Sequence, residues 1–384
     1  MVVAIFKMAL RVIGSILKNN NHFLDFNIKC LLYMGLWPSE TWSKNQKVLY
    51  KIYEYFLHIL SLSYLVLTAV GTYNKRHDIT IVLSNLDLTI FGYNFFFKTI
   101  TFITVREKLR VLINQIIDSK DTVSEVLGEM MVKIVYFTMI FTSLIIGVFA
   151  AMAVYGKKMA VEAWMPFDPL KNQMNLIMST EILGLGVLPS SFRAFSIQGI
   201  VCSIIMYLCE HLMILQKELK SLKNVDGANV REEFKRIVKK HIRLMRYAKF
   251  LEVIFRDYFL IQNLAVTVEI CLNAYMITFI GLKQKMLVAN FLACLCLALL
   301  NAFIYCYLGN ELILQSAGVA QAAYDSPWTS WPLNMQKDLL TLMVVAQKPF
   351  KITAGGVSVM SIQTFAETLY NGYSIFAVLN DAMK

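Results

Sequence analysis

Charge is what this sequence lacks most. Aspartate, glutamate, lysine and arginine make up 16% of it, against about 25% in a soluble domain. Hydrophobic residues rise to 57% in their place, against about 45–50%. An ordinary water-soluble domain is thereby excluded, and one membrane-embedded bundle is expected. Cysteine is scarce, with 7 in 384 residues. Six of them (Cys202, Cys209, Cys271, Cys294, Cys296 and Cys306) fall in apolar runs and read as small buried hydrophobes, not as a disulfide framework. Cys294 and Cys296 stand two apart, on nearly opposite helix faces, so no metal pair is expected. The sequence contains no Asn-x-Ser/Thr sequon, which leaves the loops without an N-glycosylation site. It has no HExxH and no phosphate-cradling glycine loop, and its five histidines (His22, His58, His77, His211, His241) are scattered. Neither catalysis nor a cofactor is expected.

Long apolar runs are what the chain has instead. Seven can be read as helices near 48–73, 80–105, 131–155, 180–215, 250–280, 286–308 and 357–381. The fourth and fifth exceed the ~20 residues a crossing needs and should project beyond the membrane. Residues 1–23 form a basic amphipathic stretch without a small-residue cleavage site, expected to be an interfacial helix. The net charge of +11 does not point to nucleic acid, because the cations lie between the apolar runs. Of the 37 lysines and arginines, 24 fall on the side of the N-terminus and 8 on the other. The positive-inside rule then places the N-terminus in the cytoplasm and the C-terminus outside. The resulting division is 1–47 as a cytoplasmic lead-in, 48–308 as six spans, 309–356 as a cytoplasmic segment and 357–384 as the last helix.

Three stretches stand out. In the fourth loop, REEFKRIVKKHIRLMRYAK interleaves cations with Phe234, Ile237, Val238, Ile242 and Leu244. It reads as an amphipathic extension of the fifth helix, with anionic lipid or a partner subunit as possible contacts. The sixth loop is too apolar for a free linker, with Trp328, Trp331, Leu339, Leu340 and Leu342. An intracellular packing domain is expected there. In the last run, Ser361, Thr364, Thr368, Asn371, Ile375 and Val378 recur at steps of three or four and share a helical face. Such a stripe needs a partner other than lipid, either a neighbouring helix or water in a pore.

The C-terminal third resembles an insect odorant receptor. The resemblance rests on Tyr305-Cys306, Gly309-Asn310-Glu311-Leu312, Ala323-Tyr324 with Trp328, and Pro332. It continues through Gln336-Lys337, Leu339-Leu340, Gln347-Lys348-Pro349, Ile352, Ala354-Gly355, Met360-Ser361, Thr364-Phe365, and Tyr373-Ser374 with Phe376. GLWP at 35–38 and SIIMYLCEHLMIL at 203–215 add to it. Gly372-Tyr373-Ser374 departs from the family's Ser-Tyr-Ser, and Gln198 stands where the family usually has an Asp. The fourth loop lacks the long insertion of the co-receptor, so the chain is similar to a ligand-selective tuning subunit. The Thr-Tyr…Gln-Phe ending of the related gustatory receptors is absent.

The resemblance implies an all-α membrane protein with seven transmembrane helices and a cytoplasmic helical anchor domain. It also implies an odorant-gated, non-selective cation channel in the plasma membrane of the olfactory neuron dendrite. Four subunits, including co-receptor partners, would surround a pore lined by the seventh helix, and a small volatile organic molecule would be the ligand. Trp328, Trp331, Gln347, Lys348 and Pro349 become candidate subunit anchors. By the same resemblance Ser361, Thr364, Thr368, Asn371 and Ile375 would line the pore, Val378 would close it by dewetting, and Asp381 would tune cation entry.

The family's ligand pocket lies in the outer half, between helices two to six. Candidate lining residues are then Leu86, Thr89, Ile90 and Tyr93; Ser143, Gly147, Ala150 and Ala151; Phe192, Phe195 and Ser196; and Asn290, Phe291 and Cys294. Tyr93, Ser143 and Asn290 would supply polar contacts, whereas Gly147, Ala150 and Ala151 could simply allow close helix approach. Buried charge should cost ~2.5–3.5 kcal/mol at mid-bilayer. Lys98 is therefore expected to snorkel to the cytoplasmic side, while Asp87 and Arg193, both toward the outer side, could pair between helices. A gustatory-type receptor and a secondary transporter are the alternative readings, although no internal repeat supports the transporter.

Overall fold

The computed structural model describes residues 23–222, 227–280 and 285–382. The expected interfacial helix at the N-terminus lies outside them. The described chain folds into nine α-helices: α1 (Asp25–Tyr33), α2 (Lys44–Asn74), α3 (Ile79–Asp118), α4 (Glu125–Gly156), α5 (Gln173–Ser221), α6 (Gly227–Ile280), α7 (Lys285–Tyr324), α8 (Leu333–Ala346) and α9 (Ile362–Ala382). Helices α2 to α7 are long and apolar enough to cross a membrane. With α9 they make the seven spans.

Local chemistry sets the helix ends. Ser43 and Gln46 form a capping box that starts α2. The Asn172 side chain accepts from the Asn175 N–H and starts α5. Four helices run well past the bilayer. Helix α6 holds 54 residues, about 81 Å at 1.5 Å each. The amphipathic stretch of the fourth loop is its inner half. Helices α3 and α7 also project, each with 40 residues, which the apolar runs alone did not indicate. On the inner part of α3, Leu109, Leu112, Ile113 and Ile116 recur at helical spacing and are buried.

These inner ends build one core. Leu112 of α3, Leu215 of α5, Leu244 of α6, Leu312 of α7 and Leu342 of α8 are packed into it. Trp331, 3% exposed, tilts against Phe234 of α6. The Phe350 N–H donates to Ser316 Oγ and docks the chain leaving α8 onto α7. The GLWP segment docks nearby. The Trp37 N–H donates to the Tyr50 hydroxyl, which donates to the Leu32 carbonyl, while the Arg110 guanidinium covers the Trp37 ring.

The last span begins later than its hydropathy suggests. Thr353–Ala354 and Ser358–Val359 pair as a two-stranded antiparallel hairpin. Its turn is Gly355-Gly356-Val357, with φ of +64° and +76° at the two glycines, a left-handed backbone that glycine adopts without steric cost. Val357 therefore belongs to a hairpin, and α9 starts at Ile362. Its 21 residues rise about 32 Å, not the ~38 Å of 357–381. Gly309 of α7 permits the close approach of the Met360 carbonyl that ends the hairpin.

Candidate functional site

Helix α5 is the axis around which the site is built. Its residues from Arg193 to Cys209 are buried without a break, so it runs through the middle of the bundle. Pro189 removes one N–H from its ladder. Just outward of that point lies a cavity of about 610 Å³, within the range of small-molecule sites. Leu88, Phe91 and Phe95 of α3 form one wall, and residues 142–151 of α4 form another. Helix α5 contributes Thr180, Glu181, Gly184, Val187 and Phe192, and α7 contributes Cys294 and Leu297. Tyr64 of α2 and Ala160-Val161 of the α4–α5 loop complete it. That loop is pinned by Asn85, whose side chain both accepts from the Glu162 N–H and donates to its carbonyl.

Six candidates from the sequence meet in this cavity: Ser143, Gly147, Ala150, Ala151, Phe192 and Cys294. Phe195 stands behind them, edge-on to Phe95, and Phe291 edge-on to Phe149. Ser196 spends its hydroxyl on the Phe192 carbonyl. Asn290 is buried with no partner for its amide nitrogen. The α3 candidates lie elsewhere. Leu86, Thr89, Ile90 and Tyr93 occupy the opposite face of α3 from Leu88, Phe91 and Phe95. The Tyr93 hydroxyl donates to the Leu65 carbonyl, and Thr89 bonds back to Leu86.

Gly147 and Gly184 have open space where a Cβ would stand. Small residues here create room; they do not bring helices together. Tyr64, Thr142, Thr180, Glu181 and Gly184 were not anticipated. A glutamate inside an apolar run was the one available signal among them.

Two expectations about buried charge are corrected. Asp87 does not pair with Arg193. The guanidinium of Arg193 instead meets both ring nitrogens of His58 at 3.3 and 3.1 Å. Lys98 does not snorkel; it is buried, with its ammonium 5.5 Å from the Tyr258 ring centre and Glu269 in electrostatic reach. Glu269 of α6 also accepts from the Asn94 amide of α3. A partner on a neighbouring helix spares the long lysine chain from reaching for water.

The stripe on α9 divides. Ser361 precedes the helix and caps it by accepting from the Thr364 N–H. Thr364 and Thr368 are buried against the subunit, and their hydroxyls bond to the carbonyls of Val359 and Thr364. Gly372 continues this face, where a Cβ would meet Ile270 of α6. The inner half of the stripe is therefore a packing face, which corrects its assignment to a pore lining. Asn371, Ile375, Val378 and Asp381 are exposed. With Gln363 and Glu367, also exposed, they mark a stripe turned away from α6 and α7. Of the anchor candidates, Trp331 is buried within the subunit, Trp328 and Pro349 are half-buried, and Gln347 and Lys348 are exposed.

A bundle of seven spanning helices around a partly open apolar cavity defines a multi-pass membrane protein built to hold a small ligand. The sequence matches the family described as 7tm Odorant receptor over residues 78–373, and the chain belongs to that family. It is similar to Odorant receptor 13a of Drosophila melanogaster, 25% identical over 93% of this chain and 95% of that protein. Odorant receptor 49a of the same species is 30% identical over 38% of this chain and 37% of its own length. Among solved structures, the olfactory receptor OR5 of Machilis hrabei in complex with eugenol superposes with a TM-score of 0.77. It has 18% identity and covers 94% of this chain and 98% of that one. A second structure of the same receptor gives 0.75.

Proposed function

We propose that this chain is the odorant-binding subunit of a heteromeric, ligand-gated, non-selective cation channel in the dendrite membrane of insect olfactory neurons. The observation that carries this reading is the mostly apolar, partly open cavity of about 610 Å³ in the outer half of the bundle. Its walls suit a volatile hydrocarbon body, and its few polar groups can orient one.

A path from this cavity to α9 supports channel gating. Leu88 and Phe149 of the cavity wall, together with Phe376 and Leu379 of α9, pack on one cluster formed by Tyr275, Met276 and Phe291. A ligand that displaces the wall would thus press on the outer end of α9, beside Val378. The exposed α9 stripe would line the pore of a tetramer shared with co-receptor subunits. Between Lys351 and Lys384 no lysine or arginine occurs, while Glu367 and Asp381 are acidic, which favours cations. Gln347 and Lys348, exposed beside the inner core, would meet a neighbouring subunit.

Heterologous expression with and without an insect co-receptor, recording current across an odorant panel, tests the proposal. Odorant-evoked cation current that needs both subunits is the expected result. Saturable substrate accumulation without current would assign the chain to transport instead.

A further inference from the structure

Among the described residues that line the cavity, Glu181 alone carries a formal charge. It sits on α5, half-buried, and its Oε2 is enclosed with no hydrogen-bond partner. No lysine, arginine or histidine nitrogen among the described residues comes within ion-pair distance of it.

The space around it is shaped for an occupant. Gly184 stands one turn further along the same face of α5, and nothing lies within 4 Å of where its Cβ would be. Gly147 on α4 leaves the same opening. The Thr142 hydroxyl, also on the α4 wall, is enclosed without a partner. A second acid lies behind the wall. Asp87 has both carboxyl oxygens buried and unpartnered, and it is within electrostatic reach of the lining residue Cys294. Lys98 is engaged with Glu269 and does not reach this wall. The cavity thus combines apolar walls with one acidic group that has no cation among the described residues.

We propose, resting on the odorant-binding reading above, that the ligand class of this cavity is a small amine. Its ammonium donates to Glu181, and its hydrocarbon body fills the hollow between Gly147 and Gly184. An alcohol of the same skeleton satisfies the walls but leaves the carboxylate without a counter-charge.

Matched pairs test this in cells co-expressing the chain with an insect co-receptor: hexylamine against 1-hexanol, cyclohexylamine against cyclohexanol, and 2-phenylethylamine against 2-phenylethanol. In the wild type, at least one amine should act at about tenfold lower concentration than its alcohol, the worth of one charge-assisted hydrogen bond. Glu181→Gln should abolish that preference while the alcohol response persists, which also shows that the variant folds. Glu181→Asp should retain the preference. Alcohols equal to or better than amines in the wild type, or a preference unchanged in Glu181→Gln, would overturn the inference alone. Silence to every compound, with both subunits detected at the cell surface, would overturn the channel reading on which it rests.

Discussion

At the scale of single residues, the cavity is defined by what is missing from two helices. Gly147 and Gly184 each face open space. Gly184→Leu places a branched side chain into that hollow without displacing a neighbouring backbone. Misfit of about one methylene in an apolar site is worth ~1–3 kcal/mol. Dose–response curves should therefore shift about tenfold or more for the bulkiest active ligands and little for the smallest. Gly184→Ala is milder and removes the entropic penalty of a helical glycine, about 0.5–1 kcal/mol. It should raise the melting temperature of the solubilised protein while trimming the same large ligands. The α4 residues Gly147, Ala150 and Ala151 were legible as special from their size, but size alone does not say whether the gap is filled by a helix or left open. On α3 the aromatic run 91–97 hides its own register. Apolar residues stand on more than one face of this run, so only tertiary packing selects Leu88, Phe91 and Phe95. Glu181 was legible as a charge but not as a wall residue.

At the scale of elements, α9 shows how a correct period can be assigned to the wrong partner. The steps of three and four from Ser361 to Val378 do define a helical face. Its inner half, however, is spent on hairpin and helix carbonyls, and the exposed stripe follows Gln363, Glu367, Asn371, Val378 and Asp381. Two sets of substitutions separate the faces. Val378, 71% exposed, should on replacement by serine raise the leak current, because dewetting at an apolar constriction is lost. Asp381→Asn should alter divalent block or relative permeability in the same recordings. Thr368→Val should leave permeability unchanged and report only through expression or stability, since its hydroxyl bonds within the helix. If the first two matched the wild type, the exposed face of α9 would be a lipid or subunit contact. The link between cavity and α9 is tested at Phe291, fully buried and edge-on to Phe149. Phe291→Leu keeps most of the apolar volume and loses the ring contact, so maximal current should fall more than apparent affinity.

At the scale of the whole molecule, the seven spans were readable because lipid enforces long apolar runs. The length of the projecting helices and the inner core were less so, since their amphipathic periods continue through polar loops. What holds that core to the bundle includes polar ties that no hydropathy plot reveals. Asp121, in the loop between α3 and α4, accepts from the Tyr207 hydroxyl of α5 and from the Arg243 guanidinium of α6, each at 2.7 Å. Ser119 adds a third bond to the same oxygen. One carboxylate thus joins three elements. Partial burial pushes its pKa up, but the Tyr207 hydrogen bond, His211, Arg243 and Ser119 together outweigh that, and the net shift is below the ordinary 3.8. The sign of the stability effect follows from linkage. Between the folded and unfolded values the unfolded chain binds the proton and the folded chain does not. The contribution is therefore complete above the unfolded value and is lost as pH falls through the lowered folded value. The melting temperature of the detergent-solubilised protein should hold through neutral pH and drop as the pH falls below about 5. Asp121→Asn should start lower at pH 7 and fall less steeply, so that the two curves converge in acid. Parallel curves for wild type and variant would assign the acid sensitivity to other carboxylates and leave Asp121 as a neutral hydrogen-bonding strut.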